Sequence, residues 1–123
     1  MTTGVRSLVP MAFVASVPAS VAFYRRLGFE ARNTFTPGGQ TEPSWAYLLS
    51  DRAQIMVAKA TEPVVPSQQA VLFYVYCDDV PTMRERLIAE GIEAGPIASP
   101  FYAPRGEFRI QDPDGYVLMV THT

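Results

Sequence analysis

Apolar positions in this chain change period in a set order, from strand-like to helix-like and back, and the order occurs twice. Residues 7–14 form an apolar stretch of strand length. Ser16 and Pro18 then supply a helix start, a hydroxyl N-cap followed by proline in the first turn. Val17, Val21, Tyr24 and Gly28 fall on one helical face with Arg25 and Arg26 on the other, and Gly28 is placed to end the helix. Residues 29–35, 44–49 and 54–59 read as strands, and in the second of these Trp45, Tyr47 and Leu49 alternate with Ser44, Ala46 and Leu48. Residues 33–43 carry Pro37-Gly38-Gly39 and predict a loop or long hairpin tip, while Asp51-Arg52 predicts a tight turn. The first series is thus βαβββ.

Residues 61–69, with Pro63 and Pro66 among polar positions, read as a connector. A strand at 71–76 opens the second series. Asp79 caps a helix that turns Val80, Met83 and Leu87 inward and Arg84, Glu85 and Arg86 to water, and Gly91 ends it. Strands follow at 92–97, 107–111 and 116–121, with a loop at 99–104 and Asp112-Pro113-Asp114-Gly115 turning the last hairpin. The series again reads βαβββ. One offset of 63 positions relates the two: Val17-Pro18 recurs as Val80-Pro81, Gly28 as Gly91, Asp51 as Asp114, and Ile55-Met56-Val57 as Leu118-Met119-Val120. A single offset that accounts for strand, helix and turn pieces together predicts a duplicated half-domain.

At 123 residues the chain fits a single domain, 1–123, whose two modules, about 7–60 and about 70–123, share a core. With 48% hydrophobic and 18% charged residues the composition is that of a globular chain. The net charge of −2 supplies no basic footprint for nucleic acid or an anionic membrane, so neither is expected as a partner. The one cysteine, Cys77, lies in an apolar run and reads as a buried thiol, which fits a reducing compartment. No apolar run reaches the roughly 18 residues of a membrane span, and the N-terminus has no signal-peptide pattern; a cytoplasmic location is expected.

Two stretches carry a family resemblance. Phe23-Tyr24 ahead of Leu27-Gly28-Phe29, and Arg105-Gly106-Glu107-Phe108 ahead of Asp112-Pro113-Asp114-Gly115, resemble the signature segments of the vicinal oxygen chelate superfamily. That group includes glyoxalase I, extradiol dioxygenases, fosfomycin-resistance enzymes and bleomycin-resistance proteins. The resemblance implies an α+β fold of two tandem βαβββ modules forming a half-open cleft, paired as a homodimer with clefts made across the interface. It also implies, for the enzymes of the group, a divalent metal held by His, Gln or Glu from the first and last strands of each module. Carried over, the four positions are Val9, Met56, Leu72 and Met119, related in pairs by the same offset. None offers an imidazole or carboxylate, and a shift of one residue in either direction does no better. His122, the one histidine, lies in the last three residues and reads as a frayed, solvated side chain.

The resemblance therefore implies a member nearest to the metal-free bleomycin-resistance-like proteins, with no cofactor and no chemistry. Its ligand contacts would be Trp45, Tyr47, Met56, Tyr102, Arg105 and Met119, of which Trp45 and Tyr102 match positions that stack on a flat heteroaromatic ligand in those proteins. Aromatic faces suit binding because they offer area and a π-face, not a proton or a nucleophile. Structural roles for Trp45 and Tyr47, in the core or a dimer interface, are the alternative. Arg105, Glu107 and Arg109 are the remaining polar candidates; Glu107 and Arg109 stand two apart on one strand face, with a solvated ion pair as the alternative reading. The Arg105-Gly106-Glu107 order departs from the family pattern, where arginine stands directly beside glutamate. The function expected is sequestration of an aromatic or amphipathic compound, an antibiotic among the candidates. The alternatives are a glyoxalase- or dioxygenase-like lyase or oxidoreductase using Glu107 as base and Tyr102 as donor, and an accessory or regulatory partner-binding domain.

Overall fold

A computed structural model describes residues 3–123. The chain forms two compact units that divide after Val64. Both are mixed α and β.

In the first unit, β1 (Met11–Val14), α1 (Val17–Arg26), β2 (Glu30–Phe35), β3 (Trp45–Ser50) and β4 (Ala53–Lys59) follow in the expected order. The strands form one sheet in the order β1-β4-β3-β2, with β1 parallel to β4 and the other pairs antiparallel. Local chemistry sets α1: the Ser16 hydroxyl accepts the Ala19 amide at 3.2 Å, and Gly28 leaves the helix at φ 102°. The strand expected at 7–14 is shorter than the apolar run, because Pro10 has no N–H to give to a ladder. Its carbonyl still accepts the Met56 amide at 2.9 Å. The helix α1 packs across β2, β3 and β4. Ala12, Val14, Ala46, Leu48, Ile55 and Val57 are buried with Val17, Phe23 and Tyr24 of the helix, and Tyr24 meets Phe23 and Phe29 edge to face.

The second unit contains β5 (Leu72–Cys77), α2 (Val80–Ala89), β6 (Phe108–Gln111) and β7 (Val117–His122), with sheet order β5-β7-β6. Asp79 caps α2 by accepting the Thr82 amide at 3.0 Å, and Val80 and Leu87 are buried with Phe108, Ile110, Leu118 and Val120. Met83 is half-buried. Two expectations are corrected here. Residues 92–97 are not a strand: Gly95 gives its amide to the Arg109 carbonyl at 2.9 Å, and only Ala98, further on, pairs with Glu107. Pro96 interrupts the donor row that a strand would need. Nor does Arg84 simply face water, since its guanidinium bonds the Gly95 carbonyl at 2.8 Å and the Ala94 carbonyl at 3.4 Å, fixing this irregular segment to α2.

In the connector, Pro66–Gln68 forms a short 3-10 turn. Gln69 bonds the Asp114 carbonyl at 3.3 Å, while Asp112 Oδ1 accepts the amides of Asp114 and Tyr116, each at 2.9 Å. The Asp112–Gly115 turn is thus held from inside by its own carboxylate and from outside by the connector. Among the described residues, no helix is long and apolar enough to cross a membrane.

Candidate functional site

Strand register shows which side chains share a face. In the first sheet Met11 stands beside Met56, and Met56 beside Tyr47; one row along, Phe13, Ala58, Trp45 and Phe35 follow one another across the four strands. Neighbouring positions on the same strands, such as Ala12, Val57 and Ala46, are the buried ones against α1. The methionine and aromatic rows therefore occupy the face that the helix does not cover. Phe13 is 53% exposed and Phe35 59%, while Trp45, Tyr47 and Met56 are half-buried. The Tyr47 hydroxyl donates to the Gln54 side-chain carbonyl, which satisfies the polar end of the ring.

The second sheet repeats the arrangement with different chemistry. Tyr74 stands beside Met119, and Met119 beside Arg109. Leu72, Tyr74 and Tyr76 alternate outward along β5, the two tyrosines stacked at 6.4 Å between centroids. Beside them lies the 99–106 loop, pinned at several points. Ala103 donates to the Pro100 carbonyl at 2.9 Å, Gly106 to the Ala103 carbonyl at 2.9 Å, and the Arg105 amide to His122 Nε2 at 3.0 Å. The Arg105 guanidinium also bonds the Thr123 carbonyl. From this loop Phe101 projects almost wholly exposed, its ring edge-on to Tyr102 at 5.3 Å.

Tyr102 donates its hydroxyl to Glu107 Oε1 at 3.0 Å. That bond, and secondarily the carboxylate charge, push the Tyr102 phenol above its ordinary range. Cys77, half-buried at the end of β5, has its thiol raised chiefly by burial.

These positions locate the residues the sequence singled out and correct two of the readings, those of Glu107 and His122. Val9 precedes β1, and Met11 is the residue alongside Met56; likewise Leu72 stands beside Val117, and Tyr74 beside Met119. Glu107 is not a solvated partner of Arg109: it is only 6% exposed and bonded to Tyr102. His122 is not frayed, being part of β7 and accepting a backbone amide. Arg105 spends its amide and a guanidinium N–H on the C-terminal strand. Trp45, Tyr47 and Met56 do share one face in the first unit, and Met119 and Tyr102 belong to the second. Sequence reasoning passed over Met11, Phe13, Phe35, Tyr74, Tyr76 and Phe101. The signal available for most of them was alternation, as in Met11-Ala12-Phe13 and Leu72-Phe73-Tyr74-Val75-Tyr76.

A divalent ion of the kind the enzymes use does not fit these side chains. The rows Met11, Met56, Tyr47 and Tyr74, Met119, Arg109 contain no imidazole or carboxylate, and no group of three or more His, Cys, Asp or Glu converges among the described residues.

Comparison with known proteins gives a consistent picture of the fold. Residues 7–120 match the family model described as the Glyoxalase/Bleomycin resistance protein/Dioxygenase superfamily. Among solved structures, a bleomycin resistance determinant encoded on the transposon Tn5 is similar at a TM-score of 0.75 and 16% identity, over 97% of this chain and 98% of that one. A bleomycin-binding protein from Streptomyces verticillus, complexed with copper(II)-bleomycin, gives 0.70 and 17% over 99% of each. An antibiotic binding protein from Streptomyces sp. CB03234 gives 0.73 and 17% over 99% and 98%. No curated protein matches at the sequence level.

Proposed function

This chain belongs to the Glyoxalase/Bleomycin resistance protein/Dioxygenase superfamily, and from that premise we propose that it binds a flat aromatic or amphipathic small molecule and sequesters it without chemical change. The observation that carries the reading is the uncovered face of the first sheet, where Met11, Phe13, Phe35, Trp45, Tyr47 and Met56 stand in adjacent rows. A contiguous exposed apolar patch of this kind costs solubility and marks a surface that something else covers. Its residue types narrow the occupant. Rings and thioethers offer dispersion and π-faces to a planar ligand and adapt to its outline.

The bleomycin-binding and antibiotic-binding relatives make an antibiotic a reasonable member of the ligand class. The reading includes pairing as a homodimer, for which light scattering should return about twice the 13.6 kDa of one chain. Binding is tested with N-methylacridone, a flat neutral fluorophore, titrated by fluorescence anisotropy against EDTA-treated protein. Trp45→Asp or Met119→Asp should abolish binding while thermal unfolding remains cooperative. Unaltered affinity in both variants would remove the ligand assignment.

A further inference from the structure

One polar group on the second unit is left incomplete by the chain itself. Glu107 is buried, its backbone fixed by reciprocal bonds with Ala98 at 2.8 and 3.0 Å, and its Oε1 accepts the Tyr102 hydroxyl. Its Oε2 is buried and has no hydrogen-bond partner among the described residues. A carboxylate oxygen withdrawn from water without a partner is costly to keep, and as a carboxylate it can only accept.

The cations nearest in sequence do not complete it. Arg105 is turned to the Thr123 carbonyl, and Arg109, two residues along the strand, stands exposed beside Met119. A metal ion would need further ligands, and no group of three or more His, Cys, Asp or Glu converges among the described residues. By its position, Glu107 alternates with Arg109 and Gln111 on the face of the second sheet where Tyr74 and Met119 lie.

We infer that Glu107 Oε2 is a polar anchor for planar ligands on the second sheet, on the face that carries Tyr74 and Met119, and selects those that present an N–H donor. The inference rests on the function proposed above and deepens it. Tyr102 acts as a positioning residue, holding the carboxyl group by one oxygen so that the other keeps a fixed direction. The donor is either a neutral ring N–H or a protonated amine, two sources of one chemistry.

Acridone, which carries a ring N–H, is compared with N-methylacridone, which lacks it. Wild-type protein should bind acridone about tenfold more tightly, since a buried acceptor left unpaired costs that much. Glu107→Gln places an amide donor where Oε2 accepted, and should remove the preference for acridone over N-methylacridone. Protonated aminoacridine gives the third arm: tighter binding than acridone identifies a cationic donor, equal binding a neutral one, and both uphold the anchor. Equal affinity of wild-type protein for acridone and N-methylacridone would overturn it, as would a preference that survives in Glu107→Gln. The wild-type comparison decides the matter even where the variant fails to fold. Failure of both acridones to bind would instead strike the proposed function, and the anchor with it.

Discussion

Replacing Gly115 with alanine should destabilise the protein far more than the same change at Gly91, although both residues have positive φ, 84° and 89°. An alanine in the left-handed region costs about 1–2 kcal/mol at either site. The difference lies in the surroundings. A Cβ on Gly115 would stand 2.5 Å from Pro66 Cβ, 2.7 Å from Pro66 Cα and 3.0 Å from its carbonyl oxygen, whereas a Cβ on Gly91 would meet nothing within 4 Å. Pro66 cannot swing aside, because two of the three atoms are backbone and the third belongs to its ring. Relief requires the 66–69 turn to lift from the Asp112–Gly115 turn, which also strains the Gln69 bond to Asp114. Overpacking of this kind adds about 1–3 kcal/mol. Gly115→Ala should therefore lose about 2–5 kcal/mol and Gly91→Ala about 1–2, out of a total of roughly 5–15. Urea unfolding followed by Trp45 fluorescence and by circular dichroism measures both. Equal losses at the two sites would refute the argument that the connector is seated on the turn.

Further outcomes follow from the titrating groups and the caps. Burial disfavours the Cys77 thiolate, so alkylation by iodoacetamide at mildly alkaline pH should be slower than for a free cysteine and should accelerate in urea; equal rates in native and unfolded protein would contradict the assignment. The raised Tyr102 phenol favours the folded state below the ordinary tyrosine range, about pH 10, and that contribution is lost as pH climbs through the folded value. In a tyrosinate absorbance titration, Tyr102→Phe should accordingly remove a late-titrating component; loss of an early one would be the wrong sign. Asp79→Ala should cost about 1 kcal/mol through the lost cap on Thr82, measurable in the same urea assay, with no loss counting against the cap.

What the sequence disclosed was mostly local. Caps at Ser16 and Asp79 and turns at Asp51-Arg52 and Asp112–Gly115 each depend on residues a few positions apart, and their chemistry can be read directly. At Pro10 and at Pro96 an apolar run has the composition of a strand but lacks a backbone donor. The 63-residue offset related one module to the other correctly, as Met11 beside Met56 and Tyr74 beside Met119 show. It could not give the register within a module, because an equal slip in both copies leaves the offset intact. A slip of two also preserves the face, so alternation alone does not say which residues stand beside Met56 and Met119; in the sheets these are Met11 and Tyr74. The burial of Glu107 is hidden from the sequence for a different reason. Alternation puts it on an open strand face, and only the return of the 99–106 loop, with Tyr102 bonded to the carboxyl group, buries it.

The central claim, that the uncovered face of the first sheet receives a planar ligand without help from a metal, is tested most directly by a ¹H–¹⁵N correlation titration of EDTA-treated protein with acridone. The indole N–H of Trp45 should shift, together with amides of Met11–Val14 and of the β4 residues from Met56 to Ala58, while the exposed side of α1 around Arg25 and Arg26 stays unmoved. Shifts confined to α1, or none at saturating ligand, would contradict the account.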